Sequence, residues 1–243
     1  MEKFIFGVDL GGTTVKLGLF TESGGVLDKW EIVTRKDDGG KYILDDIAAS
    51  VKEKAQEKEI EKEQIVGIGM GVPGPVREDG TVLKCDNLGW GIFNVAEELS
   101  GVTDGLPVKV GNDANVAALG EMWMGGGKGF SNVVMVTLGT GVGGGIIING
   151  KLIAGVNGAG GEIGHMLVNK NETDVCGCGK TGCLEQYASA TGIVREATKM
   201  LNDVATPSRL REVQYISCKE IFDCAKSGDE VANDLVENLG EYL

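Results

Sequence analysis

The sequence is short of basic side chains, of histidine and of long apolar runs. It has 23 lysines and arginines against 36 aspartates and glutamates, and its formal net charge is −13. A nucleic-acid-binding protein needs a basic face, and none is visible here, so we expect no nucleic-acid partner. No apolar run is long enough to span a bilayer, and no basic leader with an apolar core opens the chain. These absences predict a cytoplasmic protein with no membrane partner.

The sequence also lacks the C-x-x-C spacing of redox pairs, although it contains six cysteines. Cys176, Cys178 and Cys183 have the spacing C-x-C-x4-C, and the only histidine, His165, comes eleven residues before the first of them. In a reducing compartment, closely spaced cysteines bind metal more often than they form structural disulfides. Three thiolates and one imidazole complete a tetrahedral zinc site with no open position. The spacing therefore predicts a structural zinc site.

The order of apolar and amphipathic segments predicts an α/β fold. A chain of 243 residues suits one large or two modest domains. Short apolar runs at 4–8, 15–20 and 65–70 predict strands. Apolar residues at i+4 steps predict a helix over 41–63, and a further helical pattern covers 184–200. Strands that alternate with helices in this way are typical of α/β proteins.

Glycine is frequent, with 40 residues, and it clusters in short loops between apolar runs. The sequence VDLGGT at 8–13 is matched by VTLGTG at 136–141, an offset of 128 residues, and each copy reads as strand, turn and strand. Such duplication predicts two similar lobes that face a cleft. Because glycine turns can point backbone N–H groups at phosphate oxygens, both copies are candidate phosphate-binding turns. Plain β-hairpin turns are the alternative. We expect the second glycine loop to extend over 139–145.

Two carboxylates lie where predicted strands end. Asp9 precedes the first glycine turn and could hold Mg²⁺ against the phosphates through water. Lys16, on the next strand, could serve the same site or could be a solvated strand residue. Asp113 lies where a strand ends and a helix begins. It could be the N-cap of that helix, or a general base that takes a proton from a substrate hydroxyl. The spacing alone leaves both open.

A second polar group could line a pocket for a polyol. Its candidates are Asn112, Glu162, His165 and Glu185. Carboxylates and amides suit vicinal hydroxyls, and zinc on one ring nitrogen of His165 would leave the other nitrogen for a hydroxyl. The alternative is that Glu162 and Glu185 are exposed surface acids.

Five motifs occur in order: DLGGTTVK at 9–16, GNDAN at 111–115, LGTGVGGG at 138–145, GEIGH at 161–165 and CGCGKTGCLE at 176–185. Together they resemble the ROK family (repressors, open reading frames and kinases), and its bacterial glucokinases in particular. The resemblance implies an actin/hexokinase-like (ribonuclease H-like) α/β fold with two lobes, 1–115 and 116–243, around a cleft. It also implies ATP-dependent phosphorylation of glucose at the 6-hydroxyl.

The resemblance also implies roles for individual residues. Asp113 matches the catalytic base and, with Asn112, Glu162, His165 and Glu185, the sugar-contacting positions. His165, Cys176, Cys178 and Cys183 match the zinc ligands. The predicted ATP-binding and Mg²⁺-binding residues are Asp9, Gly11, Gly12, Thr13, Thr14, Lys16, Gly139, Thr140 and Gly141.

The resemblance also has limits. Family members continue past the position of Leu243 to another glycine-rich turn that helps to hold adenosine, so we expect the second lobe to be shortened here. We expect no DNA-binding helix-turn-helix, because the family's repressors carry it before the first strand. Alternative functions are a kinase for another hexose or an N-acetylhexosamine, and a sugar-binding sensor without turnover. The family also suggests a homo-oligomer.

Overall fold

The computed structural model describes residues 2–243, whose internal contacts form two compact units. The first unit extends to Met135 and includes Gly145–Gly161, and the second contains Val136–Gly144 and Glu162–Leu243. The lobe boundary predicted after residue 115 lies inside the first unit and stays a prediction.

In chain order the strands are β1 (Phe4–Leu10), β2 (Thr14–Thr21), β3 (Val26–Val33), β4 (Ile65–Val72), β5 (Thr81–Val82), β6 (Phe93–Asn94), β7 (Val108–Asn112), β8 (Val133–Leu138), β9 (Val142–Ile148) and β10 (Lys151–Leu152). The α-helices are α1 (Asp37–Gly40), α2 (Ile43–Glu57), α3 (Val95–Val102), α4 (Asp113–Met124), α5 (Glu185–Ala188), α6 (Ala190–Asp203), α7 (Cys218–Lys226) and α8 (Glu230–Tyr242). Short 3-10 helices cover Lys62–Gln64, Asp86–Leu88, Ile163–His165 and Arg209–Arg211.

A mixed five-stranded sheet in the order β3-β2-β1-β4-β7 forms the centre of the first unit. β1 pairs antiparallel with β2 and parallel with β4, and β4 pairs parallel with β7. Phe6, Val8 and Leu10 of β1 are buried, because alternate side chains of a strand point to one face. Ile47 and Val51 of α2 belong to the same apolar core. The apolar core therefore holds the sheet, and with it the ends of the parallel strands, in place.

The helix predicted over 41–63 ends earlier than expected, at Glu57. Glu59 has a φ of 54°, and the N–H of Ile60 donates to the carbonyl of Ala55 at 2.8 Å. The chain thus leaves the helix through a left-handed cap. Ile60 then packs against the apolar core. Ile60 is a single apolar residue in a charged segment and forms no periodic pattern with its neighbours. The apolar pattern of the sequence therefore could not predict where α2 ends.

The single helix predicted over 184–200 is also wrong, because the structure has two helices there. Ser189 lies between α5 and α6, and its hydroxyl accepts a hydrogen bond from the N–H of Gly192 at 2.8 Å. It is therefore the N-cap of α6. Ile193 of α6 packs with Ile221 of α7 and Leu235 of α8 in the apolar core of the second unit.

The glycine loop predicted over 139–145 is shorter than expected. β9 begins at Val142 and forms a three-stranded sheet in the order β10-β9-β8. A Cβ at Gly145 would overlap the Cβ of Ala118 on α4. Glycine here allows a strand to approach a helix closely, and the turn itself is confined to residues 139–141.

None of the helices in the described part of the chain combines the length and the apolar character that crossing a membrane requires.

Candidate active site

Three parallel strands of the first unit end at one edge of the sheet. Asp9 of β1 lies opposite Gly71 of β4, and Gly71 lies opposite Gly111 of β7. Asp113 follows as the first residue of α4. The carboxyl ends of parallel strands are the usual place for ligand sites in α/β sheets. Asp9 and Asp113 therefore occupy the edge where a site is expected.

The residue that caps α4 is Asn112. Its Oδ1 accepts a hydrogen bond from the N–H of Asn115 at 3.1 Å, and its Nδ2 donates to the carbonyl of Gly74 at 3.1 Å. Asp113 is exposed, and its Oδ1 accepts from the N–H of Ala114 at 2.8 Å. The N-cap alternative for Asp113 is therefore wrong, and its carboxylate remains available to a ligand.

The pKa of the Asp113 carboxyl is raised above its ordinary value. Partial desolvation is the largest cause; the N–H of Ala114 opposes it, and the negative charge of Asp9 adds to it. A raised pKa means that this carboxylate binds a proton more strongly than an aspartate with an unperturbed pKa does. A general base works best when its pKa approaches the working pH. The environment of Asp113 thus suits proton acceptance.

Backbone bonds and one buried threonine hold the turn after β1. The N–H of Gly11 donates to the carbonyl of Thr14 at 3.0 Å. The hydroxyl of Thr34 donates to the carbonyl of Gly11 at 2.7 Å, and the N–H of Thr34 donates to the carbonyl of Thr13 at 3.0 Å. A Cβ at Gly11 would lie 2.8 Å from the oxygen of Thr14, so the turn requires glycine there. No sequence pattern indicates Thr34, which follows β3 and belongs to no motif.

Lys16 and Asp9 are opposite residues of β2 and β1. The Nζ of Lys16 is 4.0 Å from Oδ2 of Asp9, and both side chains are exposed. Such exposed pairs contribute little stability. Both charged groups are therefore available to a phosphate or a cation at the end of the turn.

The turn at 139–141, in the second unit, is bonded to the start of α6. The N–H of Gly139 donates to the carbonyl of Gly141 at 2.9 Å. The N–H of Ala190 donates to the carbonyl of Gly139 at 2.8 Å, and the hydroxyl of Thr191 donates to the carbonyl of Thr140 at 2.7 Å. These bonds use the carbonyl oxygens of the turn. The N–H groups of Thr140 and Gly141 are then the candidates for phosphate oxygens.

Glu185 lies between this turn and the cysteine cluster. Its Oε2 accepts a hydrogen bond from the N–H of Val142 at 3.0 Å, and its Oε1 is 3.8 Å from Sγ of Cys176. The residue is half-buried. The alternative that Glu185 is an exposed surface acid is therefore wrong. One carboxylate contacts both the residue that follows a candidate phosphate turn and a candidate metal ligand.

His165 and the three cysteines of the 176–183 run come together in the second unit, with all their ligand atoms within 4.8 Å of one another. Sγ of Cys178 is 3.6 Å from Sγ of Cys183, and Sγ of Cys176 is 3.8 Å from Nδ1 of His165. Two ligands on a tetrahedral zinc, with bonds of about 2.0–2.3 Å, lie about 3.5–3.8 Å apart. The cluster therefore has the spacing of a tetrahedral Cys3His site.

Burial, together with the neighbouring thiols of Cys178 and Cys176, raises the pKa of Cys183 to about 12. A metal ion must displace that proton before it can bind the thiolate. Metal affinity at this site should therefore fall as the pH falls.

The 3-10 helix Ile163–His165 presents the histidine to the cluster. Nδ1 is the ring nitrogen near Cys176, which leaves Nε2 for another partner. Gly164 is buried, and a Cβ there would overlap the carbonyl of Val142, so this glycine of the GEIGH motif allows close packing on β9. Glu162 occupies the N-cap position before this helix and is half-buried, so it is not the exposed surface acid of the alternative interpretation.

The sequence and the fold are similar to those of known proteins. A glucokinase of Halalkalibacterium halodurans is 43% identical over 246 residues, which cover 100% of this chain and 74% of the relative. A ROK family glucokinase from Streptomyces griseus, whose crystal structure is a complex with glucose and AMPPNP, is 37% identical with a TM-score of 0.75. That match covers 98% of this chain and 76% of the other.

A ROK family transcriptional regulator, a homologue of the E. coli MLC protein, has a TM-score of 0.84 at 29% identity. The match covers 98% of this chain and 60% of the regulator. The likeness to ROK sugar kinases confirms the predicted α/β, actin/hexokinase-like fold class. The ROK family matches residues 5–243. With a match over nearly its whole length and a relative at 43% identity, this chain belongs to the ROK family.

Proposed function

We propose that this chain is a sugar kinase that transfers the γ-phosphoryl group of ATP to the 6-hydroxyl of glucose. The observation that carries the proposal is the Asp113 carboxylate. It is exposed at the end of β7, it is not used as a helix cap, and its pKa is raised. These are the properties of a carboxylate that can accept a proton from a substrate.

The proposed chemistry needs one proton acceptor. The oxygen of the 6-hydroxyl attacks the γ-phosphorus while the bond from that phosphorus to the bridging oxygen breaks, so that ADP leaves. The hydroxyl proton passes to Asp113, which later releases it to solvent. The rest of the catalysis is positioning and charge stabilisation.

We assign sugar binding to Asn112, Glu162, His165 and Glu185, together with Asp113. The Nδ2 group of Asn112 has a second hydrogen beyond its bond to Gly74, and the contact of His165 with Cys176 is made by Nδ1, which leaves Nε2 for a hydroxyl. These groups suit hydroxyls, which donate and accept in turn.

We assign ATP binding to the two glycine turns. Gly11, Gly12, Thr13 and Thr14 form the first turn, with Lys16 beside it. Gly139, Thr140 and Gly141 form the second. Asp9 would hold Mg²⁺ through water, and the ion would neutralise phosphate charge. Zinc would be structural, held by His165 and the three cysteines. Homo-oligomerisation and the absence of a nucleic-acid partner stay predictions.

A sugar panel tests the proposed activity. We expect ADP release to require both a sugar and Mg²⁺, with kcat/KM for glucose at least about tenfold above that for fructose, N-acetylglucosamine or N-acetylmannosamine, because pocket contacts discriminate by about 1–3 kcal/mol. Coupled ADP release measures this directly. A higher value for an N-acetylhexosamine would replace glucose as the substrate.

A sugar-binding sensor without turnover is the second candidate, and the likeness to the ROK regulator supports it. Calorimetry separates the two. Glucose binding without ADP formation would favour the sensor.

Gly141→Ala should damage sugar binding through Glu185. A Cβ at Gly141 would overlap Oε2 of Glu185, so the carboxylate must move away from its bond with Val142. We expect KM for glucose to rise roughly tenfold, since a hydrogen bond to a charged group contributes about 1.5–3 kcal/mol. Gly120→Ala is the matched control, because Gly120 lies in α4 and a Cβ there meets no atom within 4 Å. Equal glucose KM values in both variants would refute this role of Gly141.

A further inference from the structure

A buried carboxylate, Glu172, ties the segment between the metal ligands to α5 and α6. Its side chain is 5% exposed. The hydroxyl of Tyr187 donates to Oε2 at 2.6 Å, and Nη2 of Arg195 donates to the same oxygen at 2.8 Å. The Nζ of Lys199 is 3.4 Å from both oxygens. One carboxylate therefore joins three side chains from two helices.

The same carboxylate also closes its own turn. The backbone N–H groups of Thr173 and Asp174 each donate to Oε1 at 2.9 Å. Burial opposes ionisation of Glu172, but the Tyr187 and backbone hydrogen bonds and the charge of Arg195 prevail and lower the pKa to about 2. The group is therefore charged at neutral pH and fully bonded, which is the condition for a buried charge to be tolerated.

The turn that Glu172 holds is connected to both ends of the cysteine run. Cys176 follows Asp174 by two residues. Nε2 of Gln186 donates to the carbonyl of Asp174 at 2.9 Å, and Oε1 of Gln186 accepts from the N–H of Cys183 at 3.0 Å. A displacement of this turn would therefore change the separation of the first and last cysteine ligands.

We propose that Glu172 is a positioning residue for the Cys3His site, whose carboxylate sets the geometry and the metal affinity of the cluster. Through the metal, Glu172 would also orient His165 toward the sugar; this second effect rests on the proposed kinase function. Residues that orient metal ligands commonly change metal affinity 10–100-fold when they are replaced.

Two variants that each remove one negative charge beside Arg195 and Lys199 test this proposal. Glu172→Gln keeps the size of the side chain, but its amide adds donors where Tyr187, Arg195 and Lys199 already donate. Glu196→Gln removes an equal charge beside the same cations, since Oε1 of Glu196 is 2.9 Å from Nη2 of Arg195 and 3.8 Å from Nζ of Lys199. Glu196 lies on α6 next to Arg195 and makes no bond to the 172–174 turn in the described contacts.

Competition with a chromophoric chelator measures the zinc affinity of the folded protein. We expect Glu172→Gln to weaken zinc binding by about 10–100-fold and Glu196→Gln to leave it within twofold. The absorption spectrum of the Co²⁺-substituted protein should shift in Glu172→Gln and stay unchanged in Glu196→Gln, because that spectrum reports ligand geometry. Equal zinc affinities and equal cobalt spectra in the two variants would overturn the proposal.

Tyr187→Phe keeps the test decisive if Glu172→Gln does not fold. It removes the 2.6 Å hydrogen bond to Glu172 and the 2.9 Å bond that the hydroxyl accepts from Asn169, but keeps the ring that stacks on Tyr242 at 4.5 Å. We expect a smaller loss of zinc affinity, severalfold, and wild-type affinity in this variant would then overturn the proposal. These readouts need no kinase activity. A wild-type chain that phosphorylates no sugar, combined with weaker zinc binding in the variants, would reject the proposed function and keep the role of Glu172.

Discussion

Asp113→Asn should lower kcat by about 10²–10⁴-fold, the usual contribution of general-base catalysis. Asparagine keeps the shape of the side chain but cannot accept the hydroxyl proton. KM for glucose should also rise, because we place Asp113 against the sugar. KM for ATP should change little.

The same variant should not lose stability. The pKa of Asp113 is raised in the folded protein, so the fold disfavours the charged form at neutral pH. Removing the charge should therefore leave the melting temperature unchanged or slightly higher. Asp223→Asn is the control for an exposed acid, because Asp223 contacts Lys219 on the surface of α7. Unchanged turnover in Asp113→Asn would eliminate Asp113 as the base.

The raised pKa also fixes the direction of the pH dependence. The base must be deprotonated, so kcat/KM should fall as the pH falls through the folded-state pKa of Asp113. Because desolvation and Asp9 raise that pKa, the acidic limb should lie above the range of an ordinary aspartate. A kcat/KM profile of the wild type against pH measures this limb. In the Asp113→Asn variant, the kcat/KM profile of the residual activity should have no such acidic limb.

The second large effect is expected from loss of the zinc site. In Cys183→Ser a weakly ligating hydroxyl replaces a buried thiolate. We expect the protein to lose its bound zinc and to melt at least several degrees lower, since structural zinc contributes about 10–16 kcal/mol of binding free energy in small zinc domains at neutral pH. The variant should still fold, because the apolar core formed by α6, α7 and α8 does not depend on the metal. Elemental analysis and thermal melts measure both effects.

Cys218→Ser is the matched control for that variant. Cys218 begins α7 and lies outside the metal cluster. It should keep one zinc per chain and the wild-type melting temperature. Glucose affinity should fall in Cys183→Ser alone, because His165 would lose the metal that orients its ring. Wild-type protein without stoichiometric zinc would refute the site.

The strands and the metal cluster were predictable because their signals are local. Apolar runs indicate β1 and β4, and the spacing of Cys176, Cys178 and Cys183 indicates the ligand set without knowledge of the fold. The ends of elements were less predictable. The end of α2 depends on Ile60 turning back onto the core, and the break before α6 depends on the hydroxyl of Ser189. The first is a tertiary contact and the second is a helix cap, and the periodic pattern of apolar residues indicates neither.

The residues that hold the site in place could not be predicted, because their partners are distant in sequence. Thr34 bonds to the turn at Gly11 from 23 residues away, and Glu172 bonds to Arg195 across the same interval of 23 residues. The choice between base and cap for Asp113 stayed open for a different reason, since Asn112 and Asp113 are adjacent and spacing alone does not show which of them caps α4. Only the structure shows that the side chain of Asn112 already satisfies the start of α4.

Phosphorus and carbon NMR of the 243-residue chain, incubated with Mg-ATP and carbon-labelled glucose, tests the proposed kinase activity and the role of Asp113 together. We expect equal amounts of ADP and glucose 6-phosphate from the wild type, and loss of nearly all of that product with Asp113→Asn. Phosphorylation at another hydroxyl, or equal product from both proteins, would contradict it.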